Sequence, residues 1–211
     1  MFLTQFLTVA VVHLFAVMSP GPDFAMVTRN SLIYSRKIGI YTSVGIALGI
    51  MVHVAYSLIG IGFIISQSVL LFNLIKWIGA LYLIYIGYKS LRVKPSLLVE
   101  AKATNSIRDK QIGRKEAIKI GFLTNALNPK ATMFFLALFT QVIDPVTPKN
   151  IQFLYGIEMM VITFVWFALI SLMFSNKHIK MRIGKVQHYV ERVTGAVLIA
   201  LGIKVALAAH K

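Results

Sequence analysis

Five ionisable side chains fall inside apolar stretches of this sequence: His13, Asp23, His53, Lys130 and Glu158. Charge is costly to bury in hydrocarbon, so such residues tend to mark substrate pathways, proton relays and binding sites. Asp23 closes the stretch Ser19-Pro20-Gly21-Pro22-Asp23, and Lys130 closes Asn128-Pro129-Lys130. Each stretch interrupts an apolar run with proline, which lacks the N–H a helix ladder needs. Gly21 is expected to supply backbone angles that other residues avoid. In lipid every freed amide and carbonyl must find a partner. Two such breaks brought together would form a polar cavity with a carboxylate and an ammonium facing it. That chemistry suits a zwitterion, with Asp23 for a substrate ammonium and Lys130 for its carboxylate. The amides of the resumed helices would also favour an anionic group. The structural alternatives are a helix-start carboxylate at Asp23 and an Asp23–Lys130 ion pair.

Asn128 could bond either freed backbone or substrate, and Asn125 lies three residues earlier on roughly the same helix face. Gly21, Pro22 and Pro129 are backbone devices that shape the site. Glu158 lies about seven residues into its apolar stretch, too deep to reach water easily. It would carry a proton, bind the substrate amine, or make a neutral interhelical hydrogen bond. His53 falls near the middle of its stretch and is either a proton relay or a satisfied packing residue; His13 is a weaker case of the same kind. The spacing of His13, His53 and Glu158 matches no metal-ligand pattern, so no metal or cofactor is assigned. Ser57, Thr124 and Thr132 are candidates for recognising a side-chain hydroxyl.

These residues must be positioned by membrane helices. The chain has 211 residues, 57% of them hydrophobic, and no cysteine. Apolar runs long enough to cross a bilayer recur along it, which predicts an all-α membrane protein. Six spans are expected, at about residues 3–30, 38–65, 69–91, 117–143, 151–174 and 189–209, the first and fourth broken by proline. The first five residues lack the positive charge of a signal peptide, so a retained first helix is expected.

The net charge of +15 sits in loops between apolar runs, which argues against a nucleic-acid partner. Basic residues crowd the loops after the first span (Arg29, Arg36, Lys37), the third (Arg92 to Lys115) and the fifth (Lys177 to Lys185). By the positive-inside rule these loops are cytoplasmic and both termini face out. Residues 1–91 and 115–211 then form two three-helix repeats joined by a basic cytoplasmic linker at 92–114. Gly79-Ala80 and Gly87-Tyr88-Lys89 in the first repeat answer Gly195-Ala196 and Gly202-Ile203-Lys204 in the second. Three spans per repeat make the second enter from the opposite side, the inverted-topology plan of many secondary transporters. The Gly45-xxx-Gly49 face would pack either within the chain or between protomers of a homo-oligomer.

Phe6 to Ala10 leading to His13, then Met18 to Phe24, resemble the start of the lysine-exporter (LysE/RhtB) superfamily. Gly121 to Asn125 through Asn128-Pro129-Lys130-Ala131 resembles its second motif. Leu81-Tyr82-Leu83 with Ile86-Gly87-Tyr88, and Glu158 with Trp166-Phe167, are similar to positions in its third and fifth spans. Within the superfamily the likeness runs to the homoserine/threonine-resistance branch and its threonine efflux proteins. With the zwitterion clamp, export of a small neutral amino acid by proton antiport is expected, and the resemblance implies a small amino-acid exporter of the bacterial inner membrane driven by the proton gradient. The motif positions it carries over are Gly21, Pro22, Asp23, Asn128, Pro129 and Lys130. It leaves open export of leucine or basic amino acids. The residues also admit a metal-ion exporter and an intramembrane enzyme. The enzyme would need a nucleophile–base pair or paired carboxylates at depth, and Asp23 and Glu158 are the only deep acids.

Overall fold

In a computed structural model the described residues are 2–67, 69–92, 112–143, 146–173, 189, 192–200, 202, 203 and 206. All regular structure among them is helical. The chain runs through α1 (Phe2–Met18), α2 (Pro22–Ile33), α3 (Arg36–Gln67), α4 (Val69–Leu91), α5 (Arg114–Ala126), α6 (Pro129–Gln141) and α7 (Lys149–Met173). Residues 192–200 form a further helical stretch. Among the described residues, α3 and α7 are each long and apolar enough to cross a membrane. The pair α1 and α2, bent by 58°, does so if taken as one broken span. This is the all-helical membrane architecture expected. Most of the basic linker, the 175–187 loop and parts of the sixth span lie outside the described residues.

Both expected breaks are present, and the prolines play a different part in them than expected. Pro22 and Pro129 each stand at the first position of a new helix. There the missing N–H is one the helix would not have used, and the fixed φ suits the first turn. The prolines start α2 and α6. Gly21 precedes α2 with φ −172° and ψ −166°, extended backbone that other residues adopt, so its expected special angles are not used. Asn128 precedes α6, and its side-chain oxygen accepts a hydrogen bond from the Lys130 backbone N–H at 3.0 Å. That cap satisfies one of the donors a helix start leaves open.

The long helix α3 is the centre of the packing, with α5 and α7 its most extensive partners. Glycine makes the α3–α5 contact possible. A methyl group at Gly45 would strike the Ile118 carbonyl oxygen, and one at Gly121 would strike that of Thr42. The two backbones therefore touch directly, as small residues allow where lipid supplies no hydrophobic drive for helix association. Gly45-xxx-Gly49 is thus spent within the chain, since Gly49 faces Asn125 of α5. Val9, Ile50, Val54, Leu83, Phe135 and Met159 fill the core between α1, α3, α4, α6 and α7. Polar side chains along the helices bond their own backbone. Ser31, Thr42, Ser43 and Ser171 each donate to the carbonyl four residues earlier, and all four are buried, so their hydroxyls are satisfied without water.

Candidate functional site

The two helix breaks meet, and each supplies what the other lacks. The end of α1 leaves carbonyl oxygens without helical partners. The Lys130 ammonium, carried by the first turn of α6, donates to Ser19 O at 2.9 Å and to Pro20 O at 3.3 Å. In return, Asp23 in the first turn of α2 receives the side-chain amides at the other break. Asn125 Nδ2 donates to Asp23 Oδ2 at 2.9 Å and Asn128 Nδ2 to the same oxygen at 3.2 Å. Asn128 thus serves both breaks, through Oδ1 to the start of α6 and through Nδ2 to Asp23. Asp23 Oδ1 and Asn125 Oδ1 are buried with no hydrogen-bond partner. Buried oxygens of this kind are costly unless something binds them.

These groups line one cavity that opens to the outside. Its polar end is made by Ser19, Gly21, Asp23, Asn125, Asn128 and Lys130. The rest is largely apolar, with Phe24, Phe134, Phe135 and Phe167 prominent, and with His13, Tyr82 and Thr163 as further polar groups. His13 Nε2 lies 3.1 Å from Met159 O and 2.9 Å from Thr163 Oγ1. A carbonyl only accepts, so Nε2 carries the hydrogen. His13 Nδ1 is buried without a partner.

The structure therefore brings five of the expected binding residues to the cavity: Gly21, Asp23, Asn125, Asn128 and Lys130. Pro22 and Pro129 are exposed, stand at the helix starts and do not line the cavity. His53 is fully buried and stands behind the site. Its Nε2 donates to the Asn125 carbonyl at 2.9 Å, and its ring stacks on Phe135 at 5.3 Å. Glu158 is absent from the cavity wall, and both its carboxylate oxygens are buried without a hydrogen-bond partner. The three hydroxyl candidates lie off the wall as well. Thr124 bonds Ile120 O and Thr132 bonds Asn128 O, whereas Ser57 is buried.

Sequence reasoning passed over Ser19, Thr163 and the cavity phenylalanines, and it ranked His13 low. A signal for two of them existed. Ala131, Phe134 and Phe135 follow Asn128 at three- and four-residue steps on one face of α6. Ser19 contributes a backbone carbonyl, which its side chain does not announce. Among the described residues no three His, Asp or Glu side chains gather in a metal-binding group.

Comparison with known proteins covers nearly the whole chain. The family model described as LysE type translocator matches residues 14–209. The threonine efflux protein of Escherichia coli (strain K12) is 32% identical over 203 residues, which is 95% of this chain and 97% of that protein. The uncharacterized membrane protein YrhP of Bacillus subtilis (strain 168) is 30% identical, covering 90% of this chain and 93% of that one. A membrane protein of Haemophilus influenzae is 30% identical over 93% of both chains. No solved structure matches the chain significantly.

Proposed function

The chain belongs to the LysE type translocator family, and from that premise we propose that it exports a small neutral amino acid of the threonine or homoserine kind across the bacterial inner membrane, in exchange for protons. It is a transporter and not an enzyme. The observation that carries the substrate reading is the pairing of Asp23 and Lys130 on one cavity wall at the junction of two broken helices. The substrate ammonium binds the Asp23 carboxylate, whose Oδ1 otherwise has no hydrogen-bond partner. The substrate carboxylate lies towards Lys130, and the side chain extends among the phenylalanines. The name of the Escherichia coli relative supports threonine as the first substrate to try.

The proposed frame is six spans in two inverted repeats, 1–91 and 115–211, joined by the 92–114 linker, with both termini outside. Two observations support it. The proline-started helices α2 and α6 meet at the site. The glycines of the third and last apolar stretches also pack crosswise: Gly87 lies against Gly195, and Gly202 against Ala80 and Ile84. Segments related by a two-fold axis contact each other in this reciprocal way. Proton coupling is assigned to His53 and Glu158, the ionisable groups buried away from the cavity wall.

The test is counterflow of radiolabelled threonine into proteoliposomes, with unlabelled amino acids as competitors. Saturable uptake, competed by homoserine and absent with Asp23→Asn, is the expected result. Folded protein that exchanges no amino acid, or an Asp23→Asn variant that exchanges normally, overturns the reading of the site.

A further inference from the structure

His53 and Tyr56 form a hydrogen-bond chain whose hydrogens do not suffice for its acceptors. His53 Nε2 faces the Asn125 carbonyl at 2.9 Å, Nδ1 faces the Tyr56 hydroxyl at 2.8 Å, and the same hydroxyl faces the Thr132 carbonyl at 3.3 Å. Both carbonyls only accept, so Nε2 must carry a hydrogen. In the neutral ring Nδ1 is then an acceptor, and the single Tyr56 hydrogen must choose between Nδ1 and Thr132 O. The short first distance and the long second one fit the Tyr56 hydroxyl donating to Nδ1 in the neutral pair. A charged ring resolves the shortage. Nδ1–H then donates to Tyr56, and the Tyr56 hydrogen turns to Thr132 O.

We propose that His53 and Tyr56 are the element through which a proton acts on the site, by handing the Tyr56 hydrogen from helix α3 to the first turn of α6. The proton balance is simple. Tyr56, half-buried where His53 is fully buried, passes its hydroxyl hydrogen to Nδ1 and takes the incoming proton from water. The ring becomes imidazolium, and the renewed hydroxyl hydrogen bonds Thr132 O. Deprotonation reverses each transfer. The consequence is mechanical. In the neutral state His53 ties α3 to the last turn of α5 at Asn125, whose side chain holds Asp23. In the charged state the same pair also ties α3 to α6, two residues beyond Lys130. Both sides of the second break are then fixed to one helix. His53 and Tyr56 act as positioning residues and do not line the cavity.

The other titratable groups around His53 are at one remove. Asp23 lies beyond the Asn125 side chain, and the Lys130 ammonium is held by Ser19 O and Pro20 O. His13 of α1 lies across the Phe135 ring, which it approaches at 5.8 Å. On α7, Glu158 is two residues from Gly156, which packs against Val54. His53 stands 17 residues along α3 from Arg36 and 14 from Gln67, near the middle of the helix.

The proposal rests on the export reading, and its test separates the two. Wild-type threonine counterflow at equal pH checks the reading alone. A one-unit pH difference, acid inside the vesicle, should then drive about tenfold threonine accumulation if one proton is exchanged per substrate. His53→Gln keeps a donor for Asn125 O and takes no proton; Tyr56→Phe keeps the ring and loses the hand-off. Both should retain counterflow and lose accumulation. A variant that keeps both overturns the proposal, and Tyr56→Phe decides if His53→Gln fails to fold. A second measurement needs no substrate. In nitrogen-15 spectra of labelled histidine, assigned through His53→Gln, protonation of Nδ1 should coincide with a shift of the Tyr56 C–O stretch that is absent in Tyr56→Phe. A stretch that stays constant through that protonation overturns the hand-off.

Discussion

Lys130 has two readings that one substitution separates. As a substrate ligand it supplies charge to the cavity; as a brace it supplies donors to Ser19 O and Pro20 O. Lys130→Met keeps much of the stem and removes both. Losing the partner of a buried carbonyl costs about 1–3 kcal/mol, so this variant should melt measurably lower in detergent as well as lose transport. An unchanged melting temperature would leave substrate binding as the ammonium's main task. Asn125→Ala tests the other half of the exchange. It removes one of two amides on Asp23 Oδ2. A hydrogen bond to a charged group is worth about 1.5–3 kcal/mol, so threonine half-saturation should rise by at least about tenfold while the folded protein survives. A half-saturation unchanged from wild type would show that Asn128 alone holds the carboxylate. The sequence announced Asp23, Lys130 and the two asparagines because charge and amide are rare in apolar runs. It did not announce what Lys130 bonds, since backbone carbonyls are the same at every residue. Nor could it separate His13, on the cavity wall, from His53 behind it: both are single histidines among apolar neighbours.

At the scale of the helix, glycine decides how close α3 and α5 come, and the glycines of α3 should differ sharply in their tolerance of a methyl group. At Gly49 a Cβ would lie 2.7 Å from Asn125 Oδ1 and 2.8 Å from Asn125 Cβ. Gly49→Ala must therefore push the Asn125 side chain away from its place beside Asp23. Overpacking of this kind costs about 1–3 kcal/mol, and transport should fall more steeply than stability because the displaced group is the one on Asp23. Gly60, on the same helix, has open space where a methyl group would go, with nothing within 4 Å. Gly60→Ala should be neutral or stabilise by about 0.5–1 kcal/mol, the usual gain from replacing glycine within a helix. Equal effects at the two sites, read as melting temperature and threonine uptake, would remove the α3–α5 contact as the reason for glycine. The breaks themselves were legible as proline in apolar sequence. Whether proline stops a helix or starts one depends on what lies ahead of it, and at Asn128 the deciding fact is a side-chain cap that closes only in three dimensions.

For the whole molecule, the legible quantities were apolar length and the placement of charge. Length predicts spans such as α3 and α7 because a bilayer sets a minimum for both. How the third and last apolar stretches pack was not legible, since Gly79-Ala80 and Gly195-Ala196 are alike in sequence yet Gly195 packs against Gly87. The proposed orientation rests on the basic loops and can be tested directly, because the chain has no cysteine and single introduced thiols have no background. Lys37 after α2, Lys115 at the start of α5 and Lys149 at the start of α7 are all exposed. Six spans place Lys37 and Lys115 on one side and Lys149 on the other, and the positive-inside rule makes the first side cytoplasmic. An impermeant maleimide should therefore label Lys149→Cys in intact cells, and Lys37→Cys and Lys115→Cys only after the membrane is opened. The reverse pattern would keep the inverted repeats and turn the molecule over. Labelling of Lys37→Cys and Lys149→Cys from the same side would break the six-span order itself, because the proline-started helices could then no longer enter the site from opposite faces of the membrane.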